Sequence, residues 1–220
     1  MKRRSYIFVT LVCIFSFISM IAQPVLGAFP DTRGHWAQTH IDLLQSRQLI
    51  SGYPDGLYRP EDFISRQELI SLIIRVLGRS EDAEQLLKGE VSYKDTADAW
   101  ARGYIELGRE LSIVHGDDRN NFNPIDPVTR EEAVTMLVNC LELEANTEMT
   151  GWFSDTDDIS EWARPYVAAA LKASLVNGFP DGSFRPQQHV TRAEVTVLLE
   201  NLLGFKGQKY HFFGELTAID

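Results

Sequence analysis

Between Trp36 and Leu203, short apolar runs alternate with polar stretches in a rhythm that recurs three times. Each round opens with apolar residues at helical spacing, as in Trp36, Ala37, Ile41 and Leu44, or Trp162, Ala163, Val167 and Leu171, which predicts an amphipathic helix starting near the tryptophan. A polar stretch follows. In the first and third rounds it contains Pro54-Asp55-Gly56 and Pro180-Asp181-Gly182, where proline presets a turn and glycine accepts positive φ. The middle round has Asp118-Arg119-Asn120, with asparagine the next best residue for a left-handed position. A second helix is then announced by the capping boxes Ser65-Arg66-Gln67-Glu68, Thr129-Arg130-Glu131-Glu132 and Thr191-Arg192-Ala193-Glu194. In each, the hydroxyl can accept from the amide of the glutamate, whose carboxylate reaches back to the cap amide. Apolar runs follow over 69–77, 133–141 and 195–203, with Gly78 and Gly204 placed as C-terminal stops.

The rhythm is an internal repeat with fixed gaps. From Trp36, Trp100 and Trp162, a glycine follows after 16 residues (Gly52, Gly116, Gly178) and a proline after 24 (Pro60, Pro124, Pro186). Arg66, Arg130 and Arg192 follow after 30, and Glu68, Glu132 and Glu194 after 32. Ahead of each tryptophan stands aromatic-x-Asp-Thr, at Phe29 to Thr32, Tyr93 to Thr96 and Phe153 to Thr156. Only here does the spacing vary, with five residues from Asp31 to Trp36 and from Asp95 to Trp100 but seven from Asp155 to Trp162. The repeats are therefore residues 29–78, 93–141 and 153–204, joined by linkers 79–92 and 142–152, the first with leucines for a short helix. A helix pair of this size cannot bury its apolar side alone, so the copies should share one core. The tail 205–220 turns aromatic and β-branched, which predicts a docked strand or a frayed end.

Residues 1–28 read as a secretory signal peptide, because Lys2, Arg3 and Arg4 precede an apolar run that ends in Pro24 and the small pair Gly27-Ala28; the competing reading is a retained membrane anchor. That segment holds three of the 21 basic residues and none of the 31 acidic ones, so the remainder carries 18 − 31 = −13 charges. Such a balance disfavours nucleic acid and, after cleavage, anionic membrane as partners. Cys13 falls in the signal and Cys140 is alone beyond it, so packing must hold the fold without an internal disulfide.

Aromatic-x-Asp-Thr, then Trp-Ala, then Gly-Tyr-Pro-Asp-Gly-x-Tyr-Arg-Pro and Ser/Thr-Arg-x-Glu, three times over from Phe29 to Gly204, resembles the S-layer homology domain. The resemblance implies an all-α fold, in which three helix-loop-helix repeats form a three-pronged pseudo-trimer around a central helical bundle. It implies an exported, non-enzymatic module without cofactors, held at the cell wall or S-layer. There, grooves between repeats bind secondary cell-wall polysaccharide, an anionic and often pyruvylated glycan. The candidate glycan-binding residues are Asp31, Trp36, Gly52 and Arg66, then Asp95, Trp100, Gly116 and Arg130, then Asp155, Trp162, Gly178 and Arg192. The altered middle turn, with Asn123 where the others have Arg59 and Arg185, predicts unequal grooves and singles out the middle repeat's as the weakest candidate.

Elementary chemistry leaves two readings of these residues. Each arginine stands at the first position of a helix, where the helix dipole and unpaired amides favour a carboxylate or phosphate; alternatively it pairs with its own repeat's Asp31, Asp95 or Asp155. Each tryptophan either stacks on a sugar face or belongs to the core. The aspartates recur once per repeat, whereas a glycosidase needs two carboxylates in one site. The histidines His35, His40, His115, His189 and His211 show no metal-ligand spacing, and Asp155-x-Asp157-Asp158 and Asp117-Asp118-Arg119-Asn120 lack a calcium loop's terminal glutamate. Anchoring thus competes with structural self-assembly, in which the repeats contact other copies.

Overall fold

The computed structural model describes residues 29–145 and 152–216, with side chains described as far as residue 207. The signal segment and part of the second linker lie outside the described residues. Among those described, the chain is helical: α1 Gln38–Ser46, α2 Arg66–Val76, α3 Ser80–Leu86, α4 Arg102–Glu110, α5 Arg130–Cys140, α6 Arg164–Lys172 and α7 Arg192–Leu216, with 3-10 turns at Pro30–Thr32 and Thr156–Asp158. None of these helices is long and apolar enough to cross a membrane.

The first helix of each repeat starts two residues after its tryptophan, and the second at its capping box. Glu68, Glu132 and Glu194 accept from the cap amides of Ser65, Thr129 and Thr191 at 2.9, 2.8 and 2.8 Å. The helix α2 buries Leu69, Ile70, Leu72, Ile73, Ile74 and Val76, leaving hardly any polar face. A helix that is apolar nearly all round must be surrounded. It packs against α5 and α7, and against α4 of the next repeat. The same offset recurs, since α6 of the third repeat packs on α5 of the second, and α1 of the first on α7 of the third. Each first helix thereby covers the second helix of the preceding repeat in a cycle. Each buried aliphatic side chain contributes about 1.5–3 kcal/mol, so no repeat keeps that gain when separated from its neighbour.

Backbone hydrogen bonds close the same cycle. Ile64 N donates to Val190 O at 3.2 Å, Val190 N to Val128 O at 3.0 Å, and Val128 N to Ile64 O at 3.0 Å. All three side chains are buried. The equal gaps read from the sequence thus become equivalent positions around one ring.

Two expectations are corrected. Gly78 does end α2, at φ 73°, but Gly204 ends nothing. Instead α7 runs on to Leu216, so residues 205–216 are helix where a strand or frayed end was expected, and 217–220 lie outside the described residues. Leu202, Leu203 and Phe205 flank Gly204 and pack on the core, which offsets the roughly 1 kcal/mol that a mid-helix glycine costs. In the first linker, α3 is the short helix expected there. Cys140 is half-buried, and burial pushes its thiol up to about 12, so it stays protonated.

Candidate functional site

The aromatic-x-Asp-Thr motif is the support on which each turn is built. Asp31 accepts from the amides of Tyr58 and Arg59 at 3.0 and 2.6 Å, Asp95 from those of Phe122 and Asn123 at 2.8 and 2.7 Å, and Asp155 from those of Phe184 and Arg185 at 2.7 Å each. Two charge-assisted bonds per carboxylate hold the second residue of each pair left-handed, at φ 58°, 58° and 59° for Arg59, Asn123 and Arg185. The aromatic of each motif lies on the glycine and against the next aromatic, with ring centroids 5.3 Å apart for Phe29 and Tyr58, 5.7 Å for Tyr93 and Phe122, and 5.2 Å for Phe153 and Phe184. A Cβ on Gly52, Gly116 or Gly178 would meet that first ring at 2.5, 2.5 or 2.6 Å. Two of the four candidate types, the aspartates and glycines, therefore hold the turn. Their structural duty is missed when they are read only as ligand groups.

The arginines do not behave as predicted. Their helix-opening amides are not free, because Arg66, Arg130 and Arg192 N donate to Asp126, Gln188 and Asp62 O at 3.0, 2.9 and 2.9 Å. The next amides, of Gln67, Glu131 and Ala193, donate to Pro124, Pro186 and Pro60 O. Anion capture by open helix ends is thus removed by carbonyls from the neighbouring repeat. Nor does any of these arginines form an ion pair with its own repeat's aspartate among the described residues. Arg66 donates to Phe122 O and Glu132 of the second repeat at 2.8 Å each. Arg192 donates to Tyr58 O at 2.8 Å, Glu68 at 3.1 Å and Ser51 O at 3.3 Å, all in the first repeat. Arg130 differs. It donates to Asn177 O at 2.9 Å, it forms no salt bridge among the described residues, and its buried Nε has no hydrogen-bond partner. Burial disfavours its charge and pulls its pKa down, partly compensated by the faces of Phe179 and Phe184 at 4.8 and 5.2 Å.

The groove gathers candidates from different repeats. Arg66 of the first copy, Gly116 of the second and Trp162 of the third line one groove of about 500 Å³, with Tyr166, His115, Asp117 and Glu132. Trp36, Trp100 and Trp162 are 60%, 54% and 51% exposed, so they are surface aromatics rather than core.

This groove exists because of the middle turn. In the first copy, Tyr53 stands one residue after the glycine, with Arg59 and Arg192 at 4.4 and 4.7 Å from its ring centre. In the third copy, Phe179 lies likewise 3.9 Å from Arg185 and 4.8 Å from Arg130. The second copy has Asp117 and Asn123 at those places, and both face the groove. Asp117 folds onto its own turn, accepting from the amides of Arg119 and Asn121 at 2.9 and 2.8 Å. Although the altered turn marks the middle groove as the weakest candidate, the loss of the aromatic and the arginine leaves that groove open. Left-handed Asn120, at φ 63°, replaces Gly56 and Gly182, at φ 83° and 80°, so the turn itself survives.

The profile of the S-layer homology domain matches this chain at residues 28–70, 92–134 and 153–196. An amylopullulanase of Thermoanaerobacterium thermosulfurigenes is 34% identical over 184 residues, 81% of this chain and 10% of that protein. The S-layer protein EA1 of Bacillus anthracis is 30% identical over 190 residues, 84% of this chain and 21% of that protein. A cellulosome-anchoring protein of Acetivibrio thermocellus is 29% identical over 177 residues, 76% of this chain and 39% of that protein. The chain thus spans a minor part of each relative's length.

Proposed function

Because the chain belongs to the S-layer homology domain family, we propose that it is a cell-surface anchoring module which holds secondary cell-wall polysaccharide in the groove formed by Arg66, Gly116 and Trp162. Related proteins named for cellulosome anchoring and for S-layers support a surface location. The observation that carries the reading is the meeting of an exposed indole and a second ring of the third repeat with a guanidinium of the first in one groove. Such a wall offers an apolar face for a sugar ring with a few polar groups to orient it. The cyclic hydrogen bonds and offset helix packing support the pseudo-trimeric arrangement expected from the family.

Arg66 is the guanidinium that lines this groove, and an anionic substituent on the glycan, such as a pyruvate ketal, is received there in competition with Glu132. Catalysis is not proposed, since Asp31, Asp95 and Asp155 all accept from backbone amides. The test is co-sedimentation with purified walls before and after removal of their secondary polymer. Binding that needs the polymer and falls at least about tenfold in Trp162→Ala is expected. Binding indifferent to both removes the proposal. Large oligomers in wall-free sedimentation would favour self-assembly instead.

A further inference from the structure

A second hollow, of about 620 Å³, is lined by the middle repeat and by Gln67 of the first. Its walls include Trp100, Ile125, Asp98, Asp126 and the side chain of Gln67. Ile125 is 76% exposed, an unusual state for an isoleucine beside a half-exposed tryptophan. Gln67 is only 8% exposed, and its buried Oε1 has no hydrogen-bond partner. An unsatisfied buried acceptor is costly, and native proteins retain few of them.

The neighbouring repeat shows which partner such an acceptor receives. Glu131 holds the same helix position as Gln67, and it accepts from Ser160 N at 3.0 Å, Ser160 Oγ at 2.7 Å and Gln187 Nε2 at 2.8 Å. Hydroxyl and amide donors from the protein fill that place. Around Gln67 the matching residues are Asp98 for Ser160 and Ile125 for Gln187, so the donors are replaced by an acceptor and an apolar wall. The first repeat closes its own version with His35 Nε2 against Glu61, 2.5 Å apart. At the third such position the helix residue is Ala193, so of the two polar side chains there Glu131 has protein donors and Gln67 Oε1 has none among the described residues.

We propose that this hollow is a second sugar subsite, taking a neutral sugar residue whose hydroxyl and acetamido groups donate to Gln67 and whose apolar face lies on Trp100. The exposed carboxylates of Asp98 and Asp126 accept further hydroxyls and repel an anionic sugar, while Lys94 is engaged with Arg119 O at 2.8 Å. The inference rests on the reading that wall glycan is the partner, but it concerns a separate hollow that adjoins the Arg66 groove, the two sharing Asn123 and Asp126.

The experiment is NMR titration of the full chain with N-acetylglucosamine at about 10 mM, where a millimolar site fills, with glucuronate as the anionic control. Expected are shifts of the Trp100 indole N–H and the Gln67 side-chain amide with N-acetylglucosamine and not with glucuronate. In Gln67→Leu the Trp100 shift should vanish while the unfolding midpoint stays or rises, because an unsatisfied acceptor has been removed. Absence of the two shifts, their appearance with glucuronate, or a lowered midpoint in Gln67→Leu would each overturn the subsite. Wall binding that depends on Trp162 would survive any of these, so the two proposals fail separately.

Discussion

The turn of the middle repeat and the turns of the outer two share a backbone and differ in what fills it. In the outer copies, Tyr53 and Phe179 lie between two guanidiniums each, so the aromatic stack occupies the space beside the helix-opening arginine. In the middle copy, Asp117 and Asn123 turn onto their own loop and leave that space open. A departure from the repeat pattern at the side chains is therefore not a departure in the fold. The conformation is held by Asp95 and Asn120, whose counterparts are present in all copies, and the two altered residues were free to change the groove.

The largest effect expected is on stability. Arg192→Ala should cost about 3–5 kcal/mol in denaturant unfolding, because it strands Glu68 and two carbonyls in a site where the arginine is nearly buried. Its counterpart Arg130→Met should cost clearly less, since no salt bridge is broken. Equal losses would mean that the two arginines are not as differently engaged as their bonds indicate. Next, Gly52→Ala, Gly116→Ala and Gly178→Ala should each lose about 1–3 kcal/mol, because each new Cβ overlaps an aromatic ring. A harmless Gly116→Ala alone would show the middle turn to be looser than its neighbours.

The double change Asp117→Tyr with Asn123→Arg rebuilds the outer type of turn in the middle copy. Wall binding should fall about tenfold or more, equivalent to about 1.4 kcal/mol, with stability unchanged or slightly raised by the new stacking. Retained binding in a correctly folded double variant would show that the open groove is not the one used.

The smallest effect is that of acid. Amides of the turn, that of Asn121 foremost, hold Asp117 below the ordinary aspartate value of 3.8, and Arg59 does the same for Asp55. A carboxylate with a depressed folded pKa contributes stability above the unfolded value and loses it as pH falls through the folded one. The unfolding midpoint should therefore drop as pH goes from about 5 to about 3, and Asp117→Asn should shallow that drop slightly. An unaltered slope would mean that Asp117 contributes nothing to the turn. The group is exposed, so solvent keeps the effect small.

The repeats, both helices of each, the capping boxes and the linker helix were legible because they are local: periodicity, caps and turn residues act within a few positions. The extension of α7 was not, because Gly204 reads as a stop unless the packing of Leu203 and Phe205 is known. The site was legible in its residue types and not in its grouping. The twelve candidates, four per repeat, were expected in grooves between repeats, but nothing in the sequence says which copy lends which residue, and the observed groove takes Arg66, Gly116 and Trp162 from three different copies.

The sequence by itself determined that there are three equivalent helix pairs and where each begins. Only the tertiary structure decided that each first helix covers the preceding repeat, that the helix-opening amides are taken by neighbouring carbonyls, and that the irregular middle turn leaves the open groove. The physical reason is one of range. Helix and turn preferences are written in neighbouring residues, while burial, ion pairing and free space depend on which distant surfaces come into contact.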